Sequence, residues 1–123
     1  MRDRMKTPAA SEVERHLPAR PATFAVLAAL ADGPRPGIEI LDRVNSTVRR
    51  PRLFGPGTLY RLLRDMRDAG LIARAVSAAD ATGPRDERRV HHTLTPLGDA
   101  VLRAETERLQ ATLRLARVSG GGR

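Results

Sequence analysis

The residues best equipped for chemistry lie between Gly55 and Asp68. There Gly57, Thr58, Tyr60, Arg61 and Arg64 bring small residues, hydroxyls and guanidiniums into one short stretch. A guanidinium is a planar fork of donors that fits phosphate oxygens and the acceptor edge of guanine. Hydroxyls donate to phosphate, and a glycine lets the backbone approach closely. This is the chemistry of anion recognition, not of bond making. Arg85, Arg88 and Arg89 form a second group, balanced by Asp80, Asp86 and Glu87. No nucleophile stands near a general base, and Gly55-Pro56-Gly57 reads as helix punctuation rather than a phosphate loop, so no enzyme is expected. His91 and His92 are adjacent; on a strand they point to opposite faces and cannot readily chelate one ion. The chain has no cysteine, and His16 is distant in sequence. Neither a metal nor a cofactor is expected.

These side chains need a scaffold, and the hydrophobic pattern supplies one. Residues 1–19 read as an N-terminal tail, with Ser11-Glu12-Val13-Glu14 fitting a capping box and a short helix stopped by Pro18. Ala22 to Ala31 is nearly all apolar, a buried helix ended by Asp32-Gly33-Pro34. Ile40, Leu41, Val44 and Val48 make one stripe on a second helix, from about Pro36 to Thr47, before Arg49-Arg50-Pro51-Arg52 breaks it. Leu59, Leu62, Leu63 and Met66 complete the buried face of a third helix, opened at Pro56 and closed by Gly70. A short strand follows from Leu71 to Val76. After a polar loop from Ser77 to Glu87, a second strand runs from Arg88 to Leu94, with Val90, His92 and Leu94 on one face. Thr95 caps a last helix from Pro96 to about Val118, and residues 119–123 are expected to form a flexible tail.

Three helices, a two-stranded hairpin and a long C-terminal helix form the order of a winged helix-turn-helix. The expected fold class is mainly α, with an α+β winged-helix domain over residues 20–95 and a dimerisation helix over 96–118. Fold order alone does not carry function. The outer side of the third helix does: Gly57, Arg61, Arg64 and Asp68 lie opposite its apolar face, flanked by Thr58 and Tyr60. A helix that enters the major groove leads with its N-terminal residues, and here those are glycine, hydroxyl and arginine. Nine arginines stand against four acids between Arg35 and Arg74, within a chain of 123 residues whose formal net charge is +8. Double-stranded DNA is the expected partner. A basic face also suits an adaptor that meets a protein or RNA, and that alternative stays open on charge alone. No apolar run approaches the roughly 20 residues of a spanning helix, and no signal core follows the N-terminus. A cytoplasmic location without a membrane partner is expected.

In the last helix Leu102, Leu109 and Ala116 recur every seven residues with Leu113 beside them, a seam suited to a second copy of the chain. Leu97 and Val101 come earlier and should seat the helix on its own domain. A homodimer matches a palindromic operator.

Several of these stretches resemble the PadR family of bacterial regulators. Gly55-Pro56-Gly57-Thr58-Leu59-Tyr60 is similar to that family's recognition-helix start, and Asp68-Ala69-Gly70-Leu71-Ile72 to its link into the wing. Leu94-Thr95-Pro96-Leu97-Gly98 resembles the turn into its last helix, and Gly33-Pro34 with Glu39-Ile40 resembles the turn before its second. The likeness covers about residues 20–117. It implies a homodimeric transcriptional repressor of the short-tailed group, with Thr58 and Tyr60 at phosphates and Arg61 and Arg64 at or near bases. It also leaves room for a small-molecule effector of unknown identity. The chain departs from the family pattern at Pro36, Ile38 and His91-His92. Its only aromatic residues of the Phe, Tyr and Trp types are Phe24, Phe54 and Tyr60, so a stacking pocket between dimer helices is not expected.

Overall fold

The computed structural model describes residues 7–46, 55–75, 86 and 88–121. Its helices are α1 (Ala10–Glu14), α2 (Pro21–Ala29), α3 (Gly37–Ser46), α4 (Pro56–Asp68) and α5 (Pro96–Gly121), and its strands are β1 (Arg35–Pro36), β2 (Ile72–Arg74) and β3 (His91–Leu94). Side chains of 118–121 fall outside the description, as do the expected helix break at 49–52 and the wing loop at 77–85, including Arg85.

One core holds these elements. Val26, Leu27, Ala29 and Leu30 of α2 and its cap meet Ile40 and Val44 of α3, Leu59, Leu63 and Met66 of α4, Leu71, Ile72 and Val101. Leu62 is only half-buried and packs at the margin. Helix α4 stops because Gly70 takes a positive φ of 81°, which costs a residue without Cβ nothing. The Leu71 N–H then bonds the Met66 carbonyl at 3.0 Å and the Gly70 N–H that of Arg67 at 3.0 Å. This paired closure satisfies carbonyls that a helix end otherwise leaves bare.

Thr95 caps α5 as the sequence predicts: its Oγ1 accepts the Gly98 N–H at 3.0 Å. The same hydroxyl donates towards the Gly70 carbonyl at 2.6 Å and the Leu71 carbonyl at 3.0 Å. One side chain thus ties the end of α4 to the start of α5. Gly98 is buried against that junction, and a Cβ there would overlap the Leu71 carbonyl. Leu97 and Val101 seat the helix, as expected, and Leu102 also packs against the core.

Four features differ from the sequence expectation. The sheet has three strands, not two, in the order β1-β3-β2 and all antiparallel, with Arg35 opposite His92 and Ile72 opposite Leu94. The third strand is two residues long, too short for an alternating pattern. Its Pro36 fits because an edge strand tolerates a residue without N–H. Pairing continues into α3, whose Gly37 and Ile38 N–H groups bond the carbonyls of Val90 (3.2 Å) and Arg88 (2.9 Å). Second, the sequence-predicted capping box does not form. Helix α1 starts at Ala10 on an Ala9 cap without a side-chain bond, so Ser11 is already inside the helix and cannot cap it. Third, the N-terminal stretch packs on the domain through Val13 and Leu17. Fourth, α5 continues to Gly121, past the end expected near Val118. Its mixed composition carries no breaker before the glycines.

Candidate nucleic-acid interface

Helix α4 is sharply two-sided. Leu59 and Leu63 have no exposed surface and Met66 almost none, whereas Gly57, Thr58, Arg61, Arg64, Asp65 and Asp68 are exposed. The buried row anchors the helix on the core and leaves the opposite row facing out. Gly55 is its N-cap, Pro56 fills the first turn and no side chain caps this end. The N–H groups of Gly57 and Thr58 therefore keep the donor character and positive dipole end that favour an anion.

Charge on this surface is narrower than the count of arginines suggests. Arg35 serves the fold: it bonds both carboxylate oxygens of Asp32 at 3.0 Å, Glu39 at 3.2 Å and the Ala29 carbonyl at 3.1 Å. The Arg35 guanidinium holds the Asp32 carboxyl below its ordinary range. Arg43 lies 3.9 Å from Asp32. Arg67 points inward, with Nη1 3.0 Å from Nε2 of buried His92. Arg49, Arg50 and Arg52 lie outside the described residues. Among the described residues, Arg61 and Arg64 form no ion pair, although Asp65 and Asp68 stand one turn further along the helix. They are the available guanidiniums of α4.

The wing side is partly committed to itself. Arg88 is exposed, but its Nη2 lies 3.1 Å from Asp86 Oδ2, and its backbone N–H bonds Asp86 Oδ1 at 3.0 Å. The Arg88 guanidinium and N–H together hold the Asp86 carboxyl below its usual range. Tyr60, expected at a phosphate, is half-buried and packs against the core. Its hydroxyl is out of solvent and lacks a hydrogen-bond partner among the described residues. Burial pushes this phenol above the ordinary tyrosine range, with Arg88 and Asp86 the charges it senses. Tyr60 thus faces the root of the wing.

The four expected dimerisation residues separate along α5. Leu102 touches the core and Leu109 is half-buried, while Leu113 is 53% exposed and Ala116 exposed. Residues 111–117 are all exposed, so the helix projects beyond its own domain. Leu115, which no sequence pattern singled out, is the most exposed large apolar side chain among the described residues at 69%. Glu105 was also missed. It is buried on α5 and accepts two bonds from Arg108 at 2.8 and 2.7 Å. The Arg108 bonds hold its carboxyl below the ordinary range. His92 has no exposed surface, more buried than its pattern implied, whereas His91 is half-buried. Among the described residues no three His, Asp or Glu side chains gather around one point that could hold a metal. No described helix is long and apolar enough to cross a membrane.

A sequence model described as the transcriptional regulator PadR-like family matches residues 26–104, more than half the chain. The chain belongs to that family. This PadR-like regulator is also similar in fold to a solved double mutant of Lactococcus lactis ZitR, with a TM-score of 0.66 and 16% identity. That alignment covers 98% of this chain and 73% of the other. At that identity the likeness concerns fold alone. No curated protein sequence matches the regulator. The family match takes in α3, α4, the wing strands and the start of α5 and stops at residue 104, one residue before Glu105.

Proposed function

We propose that this regulator binds double-stranded DNA sequence-specifically as a homodimer and represses transcription from an inverted-repeat operator in the cytoplasm. The observation that carries the reading is the exposed pair Arg61 and Arg64, without ion-pair partners among the described residues, on a helix whose other face is locked in the core. Helix α4 leads into the major groove with Gly57 and Thr58 at the phosphates, and Arg61 and Arg64 reach base edges. Tyr60 steadies the helix against the wing. Arg88 reaches the backbone only by exchanging Asp86 for a phosphate, and Arg85, which lies outside the described residues, is the second wing candidate.

The dimer rests on a second copy of α5. Leu109, Leu113 and Ala116 continue the seam that Leu102 begins, and the outer part of that seam is exposed in the single chain. Burying it against itself creates a two-fold axis, and two α4 helices then meet successive major grooves on one face of the duplex.

The test is protection of the DNA upstream of its own gene by the purified protein. A footprint over an inverted repeat, with a matching rise in reporter output when the gene is deleted, is the expected result. Uniform weak binding without a protected site would replace this reading with that of an adaptor for a protein or RNA.

A further inference from the structure

A cavity of about 320 Å³ lies between the N-terminal segment, the back of α4 and the first half of α5. Its floor is apolar: Met66, Leu71 and Val101 are all buried. Its rim is cationic, with Arg15 and Arg20 both exposed and neither in an ion pair among the described residues. His16 also lines it, and Asp65 is the one acid among the described residues that does. The described lining includes no Phe, Tyr or Trp. The volume falls at the small end of ordinary ligand sites, which run from about 300 to 1,000 Å³.

We propose that this cavity is an effector site for a small aliphatic carboxylate. An apolar floor under two guanidiniums that form no ion pair among the described residues matches a ligand with a hydrocarbon body and one anionic end. A described lining without Phe, Tyr or Trp favours a chain over a stacked ring. The site is braced from behind: α1, at the head of the strap carrying Arg15 and Arg20, packs against α5.

The position of the cavity gives it a consequence for DNA. Asp65 and Met66 face it from α4, next in sequence to Arg64, and Val101 faces it from α5. A ligand that touches both helices favours whichever spacing of strap, α4 and α5 it fits best, and shifts the population accordingly. This regulatory step rests on the DNA-binding reading above; occupancy of the cavity does not.

The experiment has two arms. Isothermal titration of the DNA-free protein uses hexanoate and octanoate, each beside its neutral primary amide. Saturable binding of at least one carboxylate is expected. The amide should bind about tenfold more weakly, and so should the acid to the variants Arg15→Gln and Arg20→Gln, as removal of one charge-assisted hydrogen bond implies. Thr23→Leu, which fills the cavity from its α2 wall, should abolish binding, with circular dichroism confirming that each variant folds. The second arm repeats the operator titration with the carboxylate at saturation, where DNA affinity should fall. No carboxylate binding, or equal binding by acid and amide, overturns the site. Carboxylate binding that leaves DNA affinity unchanged overturns the effector role. Absence of operator binding without any ligand sinks the DNA reading instead, and leaves the result of the first arm standing.

Discussion

The Nη1 of Arg67 lies 3.0 Å from Nε2 of His92, whose side chain has no exposed surface. Arginine only donates, so Nε2 is the acceptor and the imidazole proton sits on Nδ1. Arg67 belongs to α4 and His92 to β3, where it stands opposite Arg35 on one side and Arg74 on the other. The central strand therefore holds the C-terminal half of α4 through a polar contact at the edge of the apolar core.

His92→Phe keeps a ring of similar size but removes the acceptor. Stability in urea should fall by about 1 kcal/mol, the ordinary net worth of one such bond. Long-range nitrogen–proton spectra of the native protein should show the Nδ1–H tautomer. A dominant Nε2–H signal would contradict the bond from Arg67.

Gly98→Ala should be far more damaging than its size suggests. The added methyl meets the Leu71 carbonyl, a backbone atom already engaged by the Thr95 hydroxyl and N–H, so neither side can yield easily. Overpacking of this kind costs at least about 2 kcal/mol. Thermal melting that matches the native protein would show that the start of α5 sits further from α4.

Glu105→Gln keeps an acceptor for Arg108 but loses the ionic part of the pair. A drop of about 1–3 kcal/mol is expected near neutral pH. The folded carboxyl is held below its unfolded value of 4.5. Its contribution is therefore complete above that value and fades as acid takes the pH down through the lower folded value. The native protein and the variant should converge in stability at the acid end. A gap that persists unchanged there would mean that shape rather than charge matters at this position.

Leu113→Glu places a charge on the exposed seam of α5. Because Leu113 is more than half exposed in the single chain, the fold should survive while dimerisation weakens. Sedimentation velocity should show monomer at concentrations where the native protein is dimeric, with unchanged helicity. A dimer of native strength would move the interface elsewhere, for instance to the face bearing Leu115.

Much of this was legible from residues because it is local. The i, i+3, i+4, i+7 row of α4, the Thr95 cap and the Gly70 closure each depend on neighbours within a turn or two. What escaped is non-local. Arg35 reads as interface charge until Asp32 and Glu39 close around it. Glu105 reads as a solvated helix residue, yet it is buried on a helix against which α1 packs from the other end of the chain. The strand Arg35–Pro36 exists only because β3 is there to pair with it. The N-terminal segment looked like a tail because its two anchoring residues, Val13 and Leu17, are too few to declare a packed face. That segment also supplies the cations of the cavity, so the pocket left no trace in the linear pattern.

Everything turns on whether the arginine row of α4 meets the duplex. Fluorescence anisotropy on an operator fragment, over a range of salt, compares the native protein with the Arg61→Ala, Arg64→Ala double variant. The native protein should show steep salt dependence, about 0.9 log units of affinity per log unit of salt for each phosphate neutralised. The double variant should bind more weakly, by about 1–3 kcal/mol for each arginine that reads a base. Its salt slope should be shallower where either guanidinium also neutralises phosphate. Equal affinity and equal slope in the two proteins would mean that DNA does not meet this row.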